Sequence, residues 1–366
     1  MKELNLTLAL LMFGTASVFA LTPLPKDLQA AGKDALKILS ASLSNSDSRV
    51  RAQAARAWGT IGNPAAIPVL KQALLDQDDS VRIAAAYSLF ELHSLAGVPV
   101  LKFIIRKSPQ SSSDSSPVEE LRRIAHDKMR VLAIRKLFEI EGKKSESLLR
   151  SLLNDPSGEV RDAAAAGLAR MGIADFEAEF DSALDSPEVS VRVAAVRDLG
   201  DIGTPEALKE LTRAATDPAV DVREETMRVL PQFPALQSAP LLTAALKDED
   251  PRVRAQALSG LSLLSDAASV SVLKKIAEDS LNSDTRLEAD AGLARRGQKI
   301  NLDLAKRILN APDPDLKNLA LNVLGADDSL RSDHLLVETM KSNADLRLRI
   351  EAATFLLEHL TLGKGS

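Results

Sequence analysis

The chain has 366 residues, of which 45% are hydrophobic but only 3% aromatic, and 46 Lys and Arg stand against 51 Asp and Glu for a formal charge of -5. A chain of this length exceeds one ordinary core, and its apolar content favours close helix packing in a repeat array. The mildly acidic balance gives no general attraction for a polyanion, which disfavours nucleic acid as a partner. The absence of Cys excludes disulfides, thiolate metal sites and thiol catalysis.

The segment 1–20 has the composition of a secretion signal. Lys2 precedes an apolar stretch from Leu4 to Phe13, and Val18 and Ala20 occupy the positions that signal peptidase reads. The alternative is an uncleaved membrane anchor, because the stretch from Leu4 to Leu24 approaches spanning length, although polar residues dilute it. We therefore expect a cleaved signal and a periplasmic or secreted protein, with membrane contact only if the signal is uncleaved.

Ten basic residues recur in a fixed register, at Arg51, Arg82, Arg130, Arg161, Arg192, Arg223, Arg254, Arg286, Lys317 and Arg349. Eight of the nine intervals between them are 31 or 32 positions long, and the interval from Arg82 to Arg130 is longer. That long interval contains the Ser-rich segment 108–117, which indicates a flexible insertion and not a broken repeat.

Apolar residues around each register position follow the period of an α-helix. In the fifth repeat they are Val191, Ala195, Leu199 and Ile202. The position of Ala195 is Ala in nine repeats and Thr in one, and this predicts a close approach of neighbouring helices. Trp58 stands at the position of Leu199 in the first repeat and is predicted to be a core residue.

Pro and Gly mark two helices in each repeat. An Asp-Pro pair at 155–156, 217–218, 250–251 and 313–314 is typical of a capped helix start, and we expect each to begin a first helix. Gly62-Asn63-Pro64 and Gly203-Thr204-Pro205 end first helices and begin second ones. The sequence thus predicts an all-α fold, a right-handed α-solenoid of about ten helix pairs.

These motifs resemble HEAT repeats, particularly the short HEAT-like repeats first named from phycobilin lyases, over roughly residues 45–360. The predicted organisation is a signal peptide (1–20), a capping helix (21–44), repeats 1–2 (45–107), the Ser-rich insertion (108–117), repeats 3–10 (118–362) and a tail (363–366). We expect the second helices to line the inner, concave face. The resemblance implies that the register Arg residues pair, in a structural ladder, with acids near the starts of neighbouring first helices, namely Asp47, Asp78, Glu188, Asp250, Asp313 and Asp345.

Candidate catalytic chemistry is sparse in this sequence. Its four His residues, His93, His126, His334 and His359, lie in different repeats, which argues against a three-His zinc site. His334 and Glu338 are one helical turn apart, a spacing that we interpret as a solvated helix surface. We predict no catalytic residue, no metal and no cofactor.

The resemblance implies two enzymatic alternatives. Some HEAT-like proteins are bilin lyases, and the deoxyhypusine hydroxylases hold a di-iron centre with His-Glu dipeptides, which are absent here. A third relative, the HEAT-like alkylpurine DNA glycosylase, would need a basic inner face with aromatic residues, whereas the second helices mix Lys and Glu. A lyase or a hydroxylase-related enzyme therefore stays an alternative without a catalytic motif.

The most uneven predicted surface is the second helix of the fourth repeat. Residues 174–185 contain no basic residue, and Asp175, Glu177, Glu179 and Asp181 could receive a basic segment of a partner. Alternatively, the acids form a solvated face opposite buried Phe residues. Because solenoids bind through continuous surfaces, we expect an exported scaffold for a protein or peptide partner, whose identity the sequence does not give.

The predicted signal can be tested directly. We expect the mature chain to begin at Leu21 and to leave the cytoplasm, because cleavage follows Ala20. Amino-terminal sequencing of protein from separated cell fractions measures both outcomes. Intact Met1 on protein in a soluble cytoplasmic fraction would contradict the prediction.

Overall fold

A computed structural model describes residues 25–107, 116–173 and 182–361. The predicted signal peptide, most of the Ser-rich insertion and the four acids at 175–181 lie outside these residues. The described chain is helical throughout and contains no strand. The described residues form two compact units, one from 25–104 with 328–361 and one from those between 105 and 327.

The helices in chain order are α1 (Lys26–Ser42), α2 (Ser48–Thr60), α3 (Ile67–Ala73), α4 (Asp79–Glu91), α5 (Val98–Arg106), α6 (Pro117–Glu141), α7 (Glu146–Leu152), α8 (Gly158–Arg170), α9 (Val189–Ile202), α10 (Pro205–Ala214), α11 (Val220–Val229), α12 (Ala235–Ala245), α13 (Pro251–Leu263), α14 (Ala267–Asp279), α15 (Ser283–Ala294), α16 (Asp303–Leu309), α17 (Pro314–Ala326), α18 (Leu330–Ser342) and α19 (Leu346–Thr361). The ten register residues lie on α2, α4, α6, α8, α9, α11, α13, α15, α17 and α19, which are the first helices. Short 3₁₀ turns begin several of the second helices.

The first helices form the closely packed row of each unit. Helix α2 packs against α4 and α19 in the first unit, and α6, α8, α9, α11, α13, α15 and α17 pack successively in the second. The predicted small position lies at these contacts: its nine Ala residues are at most 2% exposed, and Thr226 is fully buried. The placement of the second helices on the inner, concave face stays a prediction.

Two of the four Asp-Pro pairs begin a helix as predicted. Asp250 and Asp313 are N-caps, and their carboxylates accept a hydrogen bond from the backbone N–H two positions on, at 2.8 and 2.9 Å. The other two predictions are wrong, because α8 and α11 begin three positions after Asp155 and Asp217. Trp58, at 6% exposure, is confirmed as a core residue.

The register Arg residues bind a different set of acids from the predicted one. Four of them reach the Asp in the loop before the next first helix; the pairs are Arg51–Asp76, Arg130–Asp155, Arg192–Asp217 and Arg223–Asp248. In each pair two guanidinium nitrogens bind the two carboxylate oxygens. The acids predicted as partners, such as Asp47 and Asp78, are N-caps instead.

Each of these Asp residues also orders its own loop. Asp217 Oδ1 accepts a hydrogen bond from the backbone N–H of Ala219 at 2.8 Å, and its backbone carbonyl accepts one from Arg223 at 2.9 Å. Asp155 and Asp248 accept the same two kinds of hydrogen bond, one from a backbone N–H two positions on and one from the next register Arg, which for Asp248 is Arg254. We call this arrangement the loop clamp: an Asp whose carboxylate binds the register Arg of one repeat while its carbonyl binds that of the next.

The long interval between repeats 2 and 3 ends in a helix. Helix α6 begins at Pro117 and has 25 residues, whereas most other first helices have 13 or fewer. The Ser116 hydroxyl accepts a hydrogen bond from the backbone N–H of Glu119 at 3.3 Å and caps it. The last residue of the predicted insertion is therefore the first residue of a helix, because Pro suits that position.

The two terminal segments contact each other within the first unit. Helix α1 packs against α19, α18 and α2, and its buried stripe includes Leu28, Ala35 and Leu39. The predicted capping helix therefore packs against α19, the first helix of the tenth repeat, as well as against α2, the first helix of the first repeat.

The loop clamp allows the contribution of a buried Arg–Asp pair to stability to be compared with that of an exposed pair. Replacing Asp155 by Ala leaves the Arg130 side chain, 2% exposed, without its main acceptor. Because a charged donor stays buried with fewer acceptors, we expect the free energy of unfolding to fall by about 2–3 kcal/mol. Urea denaturation followed by circular dichroism measures the loss.

The matched control is Asp185→Ala, which breaks another Arg–Asp contact. Asp185 lies 2.5 Å from Arg213, but both side chains are about half exposed or more. Water screens such a pair, so we expect a loss below about 0.5 kcal/mol. Equal losses in the two variants would contradict a stabilising role that depends on burial.

Candidate functional site

A charged depression lies on the first-helix row of the second unit. It has a volume of 720 Å³ and is lined by residues of α9, α11 and α13, namely Val189, Ser190, Val193, Arg197, Asp221, Glu224, Glu225, Arg228 and Gln256. Several of its polar residues occupy the positions two and five places after the register Arg, for example Glu225 and Arg228 after Arg223. These positions lie away from the apolar stripe, so that successive repeats place their charges side by side.

Glu225, in the lining of the depression, lies between two Arg residues. Arg197 Nε donates to Glu225 Oε1 at 2.9 Å from α9, and Arg228 Nε donates to Oε2 at 2.8 Å from the same helix as Glu225. Burial raises the pKa of Glu225, but the two guanidinium groups outweigh it and hold the pKa below its usual value. The Arg side chains stay 42% and 45% exposed, so they present donors to solvent while Glu225 fixes their positions.

The lining of the depression also contains acidic and apolar side chains. Asp221 and Glu224 bind Arg252 of α13 at 3.0 and 3.2 Å, and Asp221 is 60% exposed. Val189, which also lines the depression, is 37% exposed. Val191, which the register predicts in the core, is 42% exposed. The depression therefore offers guanidinium donors, carboxylate acceptors and a small apolar area on one surface.

A second group of charges spans three first helices of the same unit. Arg135 on α6 lies 2.6 Å from Asp201 and 3.8 Å from Asp198, both on α9. Burial raises the pKa of Asp198 to about 7, and Asp162 and Asp201 add to this rise. The charge of Arg135 lowers the pKa of Asp198, but Arg135 is shared between two carboxyl groups. The effect of burial on the pKa is therefore the larger one. Asp201 also has a raised pKa, again because it is buried.

The residues singled out in the sequence are not brought together into one site. Asp175, Glu177, Glu179 and Asp181 lie outside the described residues. Of the predicted His-Glu pair, His334 contacts the carboxylate of Asp27 on α1, with 3.1 Å between Nε2 and Oδ2. The four His residues remain in separate repeats, as the sequence indicates.

The described residues contain no group of three or more His, Cys, Asp or Glu side chains placed to hold a metal ion. No helix within 25–107, 116–173 or 182–361 is both long enough and apolar enough to cross a membrane. Sequence reasoning missed the charged depression, although the polar positions after each register Arg were visible.

The raised pKa of Asp198 gives a prediction about pH. Because folding raises this pKa from 3.8 to about 7, the folded state binds the proton more tightly than the unfolded chain. The Asp198 contribution to the free energy of unfolding is therefore fully present below pH 3.8 and is lost as pH rises to about 7. In Asp198→Asn this dependence is absent, so we expect the variant to gain stability relative to the parent as pH rises through this range.

Urea denaturation of both proteins at several pH values measures that difference. Comparing the two proteins at each pH cancels the titration of groups that they share. Parallel stability curves for the parent and the variant would contradict the prediction.

Comparison with known proteins identifies the repeat. A family model described as HEAT repeats matches residues 16–89, 177–233 and 214–294. A comparison with curated protein sequences gives no match.

Among solved structures, the chain is similar to the complex of CpcE and CpcF of phycocyanin lyase from Nostoc sp. PCC7120, with 22% identity over 70% of this chain and 94% of that one and a TM-score of 0.38. It is also similar to human deoxyhypusine hydroxylase in complex with glycerol, with 20% identity over 74% and 98% of the two chains and a TM-score of 0.32. An engineered protein is similar at 21% identity over 89% and 98%, with a TM-score of 0.32. The matched segments of the family model span more than half of the sequence, and the chain belongs to the HEAT repeat family.

Proposed function

We propose that the protein is an exported scaffold that binds a protein or peptide partner through the charged depression on α9, α11 and α13. The observation that carries this proposal is Glu225, which holds two half-exposed Arg residues in place on a rigid row of helices. Positioned donors lose little conformational freedom on binding. A repeat array that presents such side chains serves recognition well.

The charges of the depression define the chemistry of the partner. An acidic side chain or a carboxyl terminus would accept hydrogen bonds from Arg197 and Arg228. A basic side chain would lie against Asp221 and Glu224, which are already shared with Arg252. The partner that fits is therefore a segment with acidic and basic groups in sequence, with a small apolar group that packs beside them.

The acidic segment with Asp175, Glu177, Glu179 and Asp181 is a second candidate surface, for a basic segment of the partner. Its composition supports it, because residues 174–185 contain no Lys or Arg. A partner that used this surface alone would be insensitive to changes in the depression. The two surfaces can therefore be separated by substitution.

Export is the second element of the proposal. It is supported by the segment 1–20, with Lys2 before an apolar stretch and Ala20 at a cleavage position. The absence of Cys suits a protein that meets an oxidising compartment. A HEAT-like lyase or hydroxylase-related enzyme is the alternative function, and a bound chromophore or stoichiometric iron in the purified protein would favour it.

The depression is tested by a variant that removes the charges of Glu225 and its two Arg partners with little change in shape. We expect Arg197→Gln, Glu225→Gln and Arg228→Gln together to reduce partner capture at least tenfold, because each bidentate charged contact contributes on the order of 1 kcal/mol or more. Capture is measured by crosslinking in the native cell envelope, followed by mass spectrometry and binding assays with the identified partner. The matched control is Glu119→Gln, Arg122→Gln and Arg150→Gln, which changes the net charge equally at exposed sites.

The control protein should bind as the parent does, and all three proteins should share helix content and melting temperature. Unchanged capture by the depression variant would refute the depression as the binding surface. Loss of capture on reversing the charges of Asp175, Glu177, Glu179 and Asp181 would then move the site to the acidic segment.

A further inference from the structure

The two Arg residues of the charged depression also interact with two Asp residues of the second group of charges. Arg197 is followed directly on α9 by Asp198, and its charge acts on that carboxyl group. The pKa of Arg228 is raised by its bond to Glu225 and also by the charge of Asp201, which lies about one helical turn after Asp198. Neither Asp lines the depression. Each Arg is therefore shared between the depression and an Asp outside its lining.

Helices α6 and α8 supply the other charges that surround this Asp pair. Arg135 of α6 acts on both carboxyl groups, whereas α8 brings Asp162 to Asp198 and Arg170 to Asp201. Asp198 is only 7% exposed, and Arg135 lies 3.8 Å from it, too far for a hydrogen bond. Asp162 and Asp201 repel its charge. The ionised form of Asp198 is therefore poorly stabilised, even with the two Arg residues of the depression nearby.

This environment makes the Asp pair a proton-binding group. Burial raises the pKa of Asp198 to about 7 and also raises the pKa of Asp201. An anion bound to Arg197 and Arg228 adds negative charge beside both carboxyl groups, which raises these pKa values further. Binding of the anion is then accompanied by proton uptake, so that the protonated protein has the higher affinity. The affinity must therefore rise as the pH falls.

We propose that Asp198 and Asp201 regulate the charged depression by proton uptake, so that its affinity for an acidic group of the partner rises as the pH falls from about 8 to about 6. This inference rests on the proposed function, because it requires a carboxylate bound by Arg197 and Arg228. Each proton taken up removes a negative charge that attracts one of these guanidinium groups. The guanidinium group then interacts more strongly with the carboxylate of the partner.

The lining of the depression does not account for a pH dependence in this range. The described residues that line it include no His, the side chain that most often titrates near neutral pH. Glu225, the buried acid of the lining, has a pKa below its usual value, because Arg197 and Arg228 outweigh the effect of burial. A change in affinity between about pH 8 and about pH 6 therefore points to the Asp pair.

A short synthetic peptide on the full chain provides the test. The probe is the pentapeptide Gly-Asp-Val-Lys-Gly with both ends blocked, which carries the acidic, apolar and basic groups that the depression fits. Its Asp and Lys do not titrate between about pH 6 and about pH 8. Isothermal titration calorimetry measures its Kd, and repeating the titration in buffers of different ionisation enthalpy measures the protons taken up. We expect the Kd to fall at least about threefold from pH 8 to pH 6, with proton uptake near pH 7.

Substitution by Asn isolates the two Asp residues, because Asn resembles a protonated Asp in shape and carries no charge. Asp198→Asn together with Asp201→Asn should bind the peptide at every pH as tightly as the parent does at low pH, and without proton uptake. The matched control is Asp290→Asn. Asp290 is also 7% exposed, and burial raises its pKa to about 6, but it lies on α15, which does not line the depression. The control should retain the pH dependence of the parent.

The outcomes separate this proposal from the proposed function. A Kd that is independent of pH, for a peptide whose binding is lost in the variant of Arg197, Glu225 and Arg228, would overturn the regulation and leave the depression as the binding surface. The same pH dependence in the parent and in the variant of Asp198 and Asp201 would overturn it as well. A parent protein that does not bind the peptide even at pH 6, or a depression variant that binds it as the parent does, would overturn both proposals.

Discussion

The loop clamp is the interaction on which the regular stacking of this chain depends. Side chains such as Arg130 and Arg223 are nearly buried, and a buried guanidinium needs acceptors for most of its donors. For Arg223, an Asp from the following loop and carbonyls from the preceding loop supply them. Because such an Asp also receives the next Arg on its carbonyl, the position of one loop determines that of the next.

The clamp also constrains the length of the repeats in which it forms. A clamp Asp is fixed in sequence between two register Arg residues, one bound by its carboxylate and the next by its carbonyl, as Asp217 is between Arg192 and Arg223. Insertions in the helices or the loops would move the carboxylate off the guanidinium. The one large insertion, at 108–117, follows Arg82, which binds Asp79 of its own helix and has Lys107 at the place of the clamp Asp.

The sequence predicted the helix pairs and the buried Ala position, because both depend on a short period within one repeat. It misassigned the partners of the Arg residues, because an Asp before Pro has the same local sequence in two different roles. Asp250 caps a helix, whereas Asp217 lies in a loop and binds Arg192. The docking of α1 against α19 could not be predicted. Contacts such as that of Gln53 with Arg347 join the two ends of the chain, and no local pattern records them.

The charge pairs in the depression follow from the packing of the first-helix row, because its Ala contacts let polar side chains meet across repeats, as Arg197 and Glu225 do. Arg197 and Arg228 are already neutralised in part by Glu225, so a partner gains less affinity from them than from isolated cations. In return, Glu225 holds the two guanidinium groups in one geometry. Under the proposed function, such a surface would select the sequence of charges on a partner more strongly than it would bind any single charge. That selectivity depends on helix positions that the loop clamp maintains from one repeat to the next.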